Sequence, residues 1–521
     1  MNQVLSHQAI LRAAEASYGD RIALTSAAAG DITYRELAAK VRRLADAVTR
    51  AGLAPGDVVT WYSHNRCEYL ITYYATALVG LRFCPLNYWL RERELGLILG
   101  LVKPRLAFVE EGLRDKFTVA ARPSFAGRLV ELPEKSERSS GSTMDWQALA
   151  ELGSPEAPWP DSDSSAVHEI IFTSGTTGHP KGVMRSASKR IFDSLIGATM
   201  FQLHRDDHLM SMGPQFHIGG AAVPGPVLLQ GGRVTVLRRF EPEAVAAALR
   251  GGVTYLQGVP AHFNLLFDSG VLNHLDVSSV RGVYLGGSLV TYALDQEVAR
   301  RFPAATIAHG YGSTESGPYS IGLRGPDVLS RPGTIGLPAP GVEARVASLQ
   351  GGEAAPGEVG ELLVRAPNVM DGYFGNDELT RQVIDSDGWY HTGDMVRRDA
   401  DGYFYVADRK KDMIISGGEN VYSREVEDVI SQHESVSEVA VIGTPDPVYE
   451  ECVTAVVRLR DGQHVSAQEL REFTRTRLAG YKVPRRVEFV ADLPRNGVSK
   501  VDKPALRATY GSVFAERQES E

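Results

Sequence analysis

The sequence contains few cysteines and no long run of apolar residues. Cys67, Cys84 and Cys452 are the three cysteines among 521 residues, and their spacing suits neither a disulfide framework nor a metal site. We therefore expect buried thiols in a reducing compartment, the cytoplasm. No segment reaches the roughly 18 consecutive apolar residues that span a bilayer, and charged and polar residues interrupt the apolar runs between Met1 and Asp20. The sequence thus predicts neither a membrane span nor a signal peptide.

An excess of charge of one sign is also missing. The formal net charge is −9, and lysine and arginine form no block of the kind that binds nucleic acid. We expect no nucleic-acid partner. The hydrophobic content of 43% and the charged content of 23% are typical of a globular protein. Because 521 residues exceed what one ordinary core accommodates, two or more domains are expected.

The Gly-x4-Gly-Lys-Ser/Thr spacing of a Walker phosphate loop does not occur, but another phosphate-binding pattern does. Residues 170–182 begin with an apolar, β-branched run and then become rich in hydroxyl groups and glycine. Glycines let the backbone approach a ligand, and successive N–H groups in such a turn bind an anion. An ordinary surface loop is the alternative. The residues that predict a polyphosphate site are Thr173, Ser174, Gly175, Thr176, Thr177, Gly178 and Lys181.

Strands and helices alternate along the first 310 residues. Thr33 and Glu36 form a capping box before an amphipathic helix that ends near Arg50. The recurrence of this pattern predicts a mainly parallel α/β sheet with covered faces. From 341 to 407 the pattern changes to short strands and tight turns, which predicts a β-rich subdomain.

A run of five charged residues, Asp408 to Asp412, marks the sharpest boundary. It indicates a solvated face or a hinge. The segment after it predicts a helix at 424–431, strands at 436–442 and 452–459, a helix at 468–478 and a strand at 486–490. We therefore predict an N-terminal domain of residues 1–410 and a small α+β domain of residues 411–521.

Two further segments suit nucleotide binding. Gly287 and Ser288 follow a strand, where small side chains leave room for a flat ring or an acyl chain. In the next glycine-rich segment, Tyr311 could cover an adenine, Thr314 could bond a phosphate oxygen and Glu315 could hold Mg²⁺. A turn rich in glycine and serine is the alternative for this segment.

Two later segments carry an aspartate and a lysine. Asp394 lies in what the sequence predicts to be a tight, aromatic-flanked turn, and its carboxylate suits the two hydroxyls of a ribose. Arg409 follows a predicted hairpin that could return it to the same sugar or phosphate. Near the end of the chain, Asn496 and Gly497 predict a turn that projects Lys500. A solvated surface lysine is the alternative there.

In order and spacing, the motifs from about Ile170 to Lys503 resemble those of adenylate-forming enzymes, the superfamily of acyl-CoA synthetases, adenylation domains of peptide synthetases and luciferases. The resemblance implies a large N-terminal domain of parallel α/β layers with a β-rich subdomain, and a small mobile α+β C-terminal domain. It also implies ATP and Mg²⁺ as cofactors. The residues that it assigns to ATP and the metal are Ser174–Lys181 for pyrophosphate, Gly287, Ser288, Tyr311 and Gly312 for the nucleotide, Thr314 and Glu315 for the α-phosphate and Mg²⁺, and Asp394 and Arg409 for the ribose.

The same resemblance assigns the remaining roles. Lys500 corresponds to the catalytic lysine of adenylation, and Lys411 occupies the hinge position. Phe216 to Gly220 is similar to the aromatic segment beside the carboxylate pocket, although a core histidine remains the alternative for His217. Gly219, Gly220 and Gly287 are expected to leave this pocket open to an aryl or a medium-chain acid. The predicted substrate-pocket residues are His217, Gly219, Gly220 and Gly310.

The segment around Gly418 resembles the acyl-CoA synthetase version, in which this glycine lines the pantetheine channel. A peptidyl carrier arm would need a carrier domain after Glu521, so CoA is the expected acceptor. We predict an ATP-dependent carboxylic acid–CoA ligase that forms acyl-AMP and then acyl-CoA, and the sequence also allows a homodimer. A carrier protein, an amine or nitrite stays open as the acceptor, and the acid stays open between aryl and fatty. A non-catalytic nucleotide sensor would lack the lysine, aspartate or glutamate that this sequence contains.

Overall fold

The computed structural model describes residues 6–122, 125–134, 144–161, 163–173, 180–288, 290–409, 412–416, 419–446, 448–495 and 501–518, and it leaves out the side chains of Arg409 and of residues 512–518. The chain forms two compact units. The first unit comprises Met1–Ala344 and Val364–Tyr390, and the second comprises Arg345–Leu363 and His391–Glu521. The domain boundary between residues 410 and 411 stays a prediction.

The helices are numbered in chain order. They are α1 (His7–Tyr18), α2 (Tyr34–Arg50), α3 (Cys67–Leu78), α4 (Glu92–Val102), α5 (Arg114–Ala121), α6 (Trp146–Glu151), α7 (Ala187–Met200), α8 (Ile218–Ala221), α9 (Pro224–Leu229), α10 (Pro242–Arg250), α11 (Pro260–Asp268), α12 (Tyr292–Arg301), α13 (Pro326–Ser330), α14 (Asp377–Val383), α15 (Ser423–Ile430), α16 (Ala467–Arg475) and α17 (Lys503–Gln518). Short 3₁₀ turns occupy Glu111–Leu113 and Gly480–Lys482.

The strands are numbered in the same way. They are β1 (Ile22–Ser26), β2 (Gly30–Thr33), β3 (Val58–Tyr62), β4 (Arg82–Pro85), β5 (Leu106–Glu110), β6 (Arg128–Leu132), β7 (Val167–Thr173), β8 (Lys181–Ser186), β9 (His208–Ser211), β10 (Arg233–Val236), β11 (Tyr255–Gly258), β12 (Gly282–Gly286), β13 (Thr306–Ser313), β14 (Gly317–Arg324), β15 (Thr334–Pro338), β16 (Glu343–Ser348), β17 (Val359–Arg365), β18 (Gly372–Tyr373), β19 (Tyr390–Arg398), β20 (Phe404–Arg409), β21 (Ile414–Ser416), β22 (Glu419–Val421), β23 (Val436–Asp446), β24 (Glu450–Leu459) and β25 (Arg486–Phe489).

The first unit is built on two sheets. One has the order β18-β8-β7-β4-β3-β5-β6, and the other runs β15-β14-β13-β12-β11-β9-β10-β1-β2. The inner strands are parallel: β4 pairs with β3, β3 with β5, β11 with both β9 and β12, and β12 with β13. The mainly parallel α/β sheet expected from the sequence is therefore confirmed. Antiparallel pairs occur where a hairpin connects neighbours, as in β7–β8 and β13–β14.

Local sequence signals account for the helix starts. Thr33 caps α2 and accepts the N–H of Glu36, whose side chain returns to the Thr33 backbone. The apolar face of α2 is buried, including Leu37, Val41 and Leu44. The expected capping box and helix are thus confirmed. The three cysteines are buried thiols, as predicted.

The second unit carries the strand groups β16-β17-β19-β20 and β22-β21-β24-β23, and β25 adds to β24 in parallel. The two helices and three strands predicted after residue 411 are all present, and Ser466 and Glu469 form a capping box before α16. Helix α16 ends at Arg475, three residues before the predicted end. The large N-terminal part and the smaller C-terminal domain agree with the expected fold class.

A network of buried charges lies inside the first unit. The Arg185 guanidinium, 0% exposed, lies 2.7 Å from the Asp193 carboxylate, and Arg190 contacts the same Asp193 oxygen at 3.0 Å. Arg190 also lies 2.9 Å from Glu169, and the Asn368 amide donates to the other Asp193 oxygen at 2.8 Å. These contacts join β7, β8, α7 and the segment before β18 at one point.

We expect Asp193→Asn to lower the free energy of unfolding of the first unit by about 3–5 kcal/mol, because it leaves two buried guanidinium groups with one fewer carboxylate. Urea unfolding followed by fluorescence measures this change. Glu378→Gln is the control, since Glu378 and its partner Arg381 are each 70% exposed, and it should leave the transition unchanged. A similar transition for both variants would contradict a stabilising role for the network.

Candidate active site

The predicted phosphate loop closes an antiparallel hairpin. Strands β7 and β8 pair so that Thr173 lies opposite Lys181. Lys181 is half-buried, and its Nζ lies 5.4 Å from the centre of the Tyr373 ring. This ring contact fixes the lysine at the base of the loop. The other predicted phosphate contacts lie outside the described residues: Ser174, Gly175, Thr176, Thr177 and Gly178.

Thr314 and Glu315 form the turn between β13 and β14. Thr314 is 5% exposed, and its carbonyl oxygen accepts a hydrogen bond of 2.8 Å from the Arg185 guanidinium. The Glu315 carbonyl oxygen accepts one of 2.7 Å from the N–H of Met370. The backbone of this turn is therefore bound by Arg185 of β8 and by Met370. These two hydrogen bonds fix the orientation of the Thr314 and Glu315 side chains.

Tyr373 connects the two motifs. Its hydroxyl donates to Glu315 Oε1 at 3.1 Å, while its ring lies beneath Lys181. Tyr373 is 3% exposed, and burial, together with the neighbouring Glu315 charge, raises the pKa of its hydroxyl. A raised pKa keeps the hydroxyl neutral, so it remains a donor to the carboxylate. Lys181, Tyr373 and Glu315 thus form one cluster.

Gly312 is a glycine because the hairpin is tight. A Cβ at Gly312 would lie 2.0 Å from the Gly317 carbonyl oxygen on the adjoining strand. Tyr311, the neighbouring predicted adenine contact, is half-buried and lies opposite Ile321 in the ladder. The hairpin geometry therefore accounts for the glycine next to the aromatic ring.

His217 caps the short helix α8. The N–H of Gly219 donates to His217 Nδ1 at 3.2 Å, so the neutral ring carries its proton on Nε2. The side chain is half-buried, so it is not a core histidine. In this position the ring has a defined orientation.

The expectation that Gly219, Gly220 and Gly287 leave the pocket open is wrong at Gly220. A Cβ at Gly220 would lie 2.2 Å from the Pro214 carbonyl oxygen, and one at Gly310 would lie 2.5 Å from the Tyr284 hydroxyl. These glycines make room for a neighbouring backbone and a neighbouring side chain. Gly219 differs, since the nearest atom to its Cβ position is His217 Nδ1 at 3.5 Å.

Gly287 and Ser288 follow β12 and are exposed. Gly287 has a φ of +78°, a left-handed backbone conformation that favours glycine. Both residues lie just beyond the carboxyl end of β12, and their contact with a ligand stays a prediction.

In the second unit, Asp394 lies in strand β19 and not in the turn that the sequence predicted. The antiparallel ladder with β20 extends through this residue and places Asp394 opposite Arg409. The predicted return of Arg409 toward Asp394 therefore occurs at the backbone level, although the Arg409 side chain is outside the description. Lys411, Gly418 and Lys500 also lie outside the described residues.

Sequence reasoning missed several residues that hold these groups. Tyr373 contacts Glu315, and Arg185 contacts Thr314. Arg424 is a partly buried cation near Asp394 and Asp408, and burial lowers the pKa of the Arg424 guanidinium. An arginine directly after the apolar pair Val183 and Met184 is a signal for Arg185. Tyr373 gives no such signal, because its partners are distant in the sequence.

The chain matches the AMP-binding enzyme family over residues 11–374 and the AMP-binding enzyme C-terminal domain over residues 425–500. The first match alone covers more than half of the chain. The protein therefore belongs to the AMP-binding enzymes, which are the adenylate-forming superfamily.

Individual relatives and solved structures within this family resemble the chain over nearly its whole length. The chain is 37% identical to a feruloyl-CoA synthase of an Amycolatopsis species over 92% of its own length and 94% of the relative. The ATP-bound structure of MatB from Rhodopseudomonas palustris superposes with a TM-score of 0.88 at 30% identity, covering 98% of this chain and all of that one. The amide bond synthetase McbA from Marinactinospora thermotolerans has a TM-score of 0.86 at 28% identity, with coverages of 97% and 100%. Of the helices described, none has both the length and the apolar character that crossing a lipid bilayer requires.

Two adjacent glycines of α8 allow a matched test of the packing described above. Gly220→Ala should lower the free energy of unfolding by about 1–3 kcal/mol, because its methyl group overlaps the Pro214 carbonyl. Gly219→Ala should unfold at the wild-type temperature, since its methyl group meets no atom closer than 3.5 Å. Differential scanning calorimetry compares the two variants. Equal transition temperatures would contradict the close approach at Gly220.

Proposed function

We propose that this protein is an ATP-dependent carboxylic acid–CoA ligase that acts through an acyl-adenylate. The observation that carries the proposal is the cluster in which Tyr373 joins the phosphate-loop lysine, Lys181, to Glu315. A cation and a carboxylate held by one buried tyrosine suit a nucleotide polyphosphate and its counter-ion. The similarity to feruloyl-CoA synthase over 92% of the chain supports CoA as the acceptor and an aryl acid as the substrate.

The reaction proceeds in two displacements. A carboxylate oxygen of the acid attacks the α-phosphorus of ATP, the new C–O–P bond forms, and the bond to pyrophosphate breaks. The CoA thiolate then attacks the acyl carbon, the thioester forms, and AMP leaves. Both reactants of the first step are anions, so positive groups must offset the charge that develops in its transition state.

The residues of the first unit bind the phosphates, the adenine and the acid. Lys181 contacts the phosphate chain with the loop that follows Thr173, and the Thr314 hydroxyl bonds the α-phosphate. Tyr311 lies against the adenine. His217, whose neutral ring carries its proton on Nε2, donates that proton as a hydrogen bond toward the acid carboxylate.

The chain also offers a fit for Mg²⁺. No three histidine, cysteine, aspartate or glutamate side chains of the described ranges come together as ligands of a protein-bound metal. Mg²⁺ in nucleotide sites is commonly held by one or two carboxylates and by the phosphates themselves, so the half-buried Glu315 is a sufficient protein ligand. When bound, the ion would neutralise phosphate charge.

The residues of the second unit complete the proposal. Asp394 and Arg409, which face each other across β19 and β20, bind the ribose hydroxyls. Lys500 neutralises the carboxylate and α-phosphate oxygens during adenylation. Lys411 is the hinge about which the C-terminal domain moves between the two steps, and Gly418 lines the pantetheine channel.

A second acceptor class is favoured by one observation. The amide bond synthetase McbA has nearly the same fold over 97% of this chain, so an amine is the alternative to CoA. The two classes share the adenylation step and differ in the second nucleophile.

The function is tested by measuring pyrophosphate release with aryl, short-chain, medium-chain and long-chain acids, with and without CoA, and by detecting thioesters by mass spectrometry. We expect pyrophosphate with aryl acids and a CoA thioester of the same acid. Lys500→Ala should abolish most pyrophosphate release and still convert supplied acyl-AMP and CoA into thioester. Pyrophosphate without any thioester would exclude CoA as the acceptor, and an amine should then be tried. Failure of every acid to release pyrophosphate would exclude adenylation.

Tyr373→Phe keeps the ring beneath Lys181 and removes the hydrogen bond to Glu315. Because hydrogen bonds to charged groups contribute about 1.5–3 kcal/mol, kcat/KM for acyl-AMP formation should fall about 10- to 100-fold. ATP binding measured by isothermal titration calorimetry at increasing Mg²⁺ should need a higher Mg²⁺ concentration for half-maximal affinity in the variant than in the wild-type enzyme. Tyr292→Phe, at an exposed tyrosine of α12, is the control. An unchanged Mg²⁺ dependence in a folded Tyr373→Phe variant would contradict the positioning of Glu315.

A further inference from the structure

Three polar side chains form a row across the inner strands of the first unit. Strands β9, β11 and β12 are parallel neighbours, and their register places Ser211 opposite Gln257 and Gln257 opposite Tyr284. Residues paired in this way project from the same face of the sheet. Strands buried on both faces are usually apolar throughout, so three polar residues in one row need an explanation.

The row has hydrogen-bonding capacity that the protein does not use. Ser211 Oγ donates to Gln257 Oε1 at 2.6 Å. Gln257 is 4% exposed and Tyr284 5% exposed. Among the described residues, the Gln257 amide nitrogen and the Tyr284 hydroxyl do not belong to the fully buried polar atoms that lack a partner, so both atoms keep contact with solvent. A ligand that displaces water from these two atoms must replace the hydrogen bonds of that water, or they become buried and unpaired at a cost in free energy. The two atoms can therefore select a ligand that offers them hydrogen bonds.

Glycines bring this row to the carboxyl edge of the sheet. Gly286 and Gly310 are paired across β12 and β13, two residues beyond the level of Tyr284. A Cβ at Gly286 would lie 2.6 Å from the Tyr284 hydroxyl, and one at Gly310 would lie 2.5 Å from it. The hydroxyl thus reaches the edge, where ligands bind in open α/β sheets and where these glycines contribute no side chain.

The same edge adjoins the segment assigned to the acid. A Cβ at Gly213 would lie 3.7 Å from the Cα of Gly220 and 3.9 Å from Ser211 Oγ, so the start of α8 lies beside the polar row. His217 caps this helix. An acid whose carboxylate is near His217 would therefore extend toward Ser211, Gln257 and Tyr284.

The chemistry of the row restricts the group that it can bind. The amide nitrogen of Gln257 donates hydrogen bonds, and the Tyr284 hydroxyl both donates and accepts. No member of the row carries a charge, so a buried ammonium or carboxylate would lack a counter-ion there. A neutral hydroxyl, which donates and accepts, meets both requirements. Gly286 and Gly310 have no side chains, and the Tyr284 ring is flat. This surface favours a ligand whose hydroxyl is attached to a planar aromatic ring.

We propose that Ser211, Gln257 and Tyr284 form a recognition site for a hydroxyl group carried by the ring of an aryl acid, at the end remote from its carboxylate. The site rests on the proposed function, since it selects among acids that the enzyme adenylates. Aryl acids without the hydroxyl would leave the Gln257 amide and the Tyr284 hydroxyl unpaired and would react less efficiently.

The test compares acids that differ by one hydroxyl: 4-hydroxycinnamate with cinnamate, and 4-hydroxybenzoate with benzoate. The wild-type enzyme should prefer the hydroxylated member of at least one pair by about tenfold or more in kcat/KM for pyrophosphate release. Tyr284→Phe and Gln257→Leu should each reduce this preference to within about threefold and retain activity with the unsubstituted acid. Tyr255→Phe, two residues before Gln257 on the same strand face, is the matched control and should keep the preference.

The outcomes separate this inference from the proposed function. If hydroxylated and unsubstituted acids react equally well with the wild-type enzyme, or if the preference survives in both variants, the recognition site is excluded while the ligase function stands. If no acid releases pyrophosphate, the function itself fails. Should either variant not fold, as judged by circular dichroism, Ser211→Ala removes one member of the row with the least loss of volume. A preserved preference in Ser211→Ala would then count against the site.

Discussion

One buried cation, Arg185, determines where the central turn of the candidate active site lies. Arg185 is fully buried, and its guanidinium contacts the Thr314 carbonyl on one side and the Asp193 carboxylate on the other. A buried charge persists only when it is paired, so Asp193 must stay close. Asp193 also binds Asn368, which precedes the segment that carries Tyr373. The position of Glu315 and the position of the tyrosine that holds it thus depend on the same ion pair.

This arrangement explains why distant parts of the chain act together. The phosphate-loop hairpin, the Thr314 turn and the strand of Tyr373 are far apart in the sequence, and each is short. Packing of apolar side chains alone would allow small shifts between them, whereas hydrogen bonds to a guanidinium have direction. The network therefore holds the hairpin, the turn and the strand in a defined geometry relative to one another.

The structural features that depend on residues close together in the sequence were predicted correctly. The capping box at Thr33, the alternation of strands and helices in the first 310 residues and the helices and strands after residue 411 all follow from local patterns. Partners that come from remote segments were not predictable, and Tyr373 is the clearest case. Gly220 was misread because the absence of a side chain in a sequence does not tell which neighbour occupies its space. Asp394 was predicted in a turn because aromatic residues and a glycine precede it, and this local sequence does not reveal the β19–β20 ladder that extends through it.

The alternation of side chains along β8 links binding to folding in one strand. Lys181 and Arg185 are four residues apart and project from the same face, one toward Tyr373 and the other toward Asp193. Insertion or deletion of a single residue between them would turn one of the two to the opposite face. A change of length in the loop before Lys181 would keep this alternation but would alter the spacing of the predicted phosphate contacts. Over evolutionary time, the spacing of this lysine and this arginine should therefore persist even where their neighbours change.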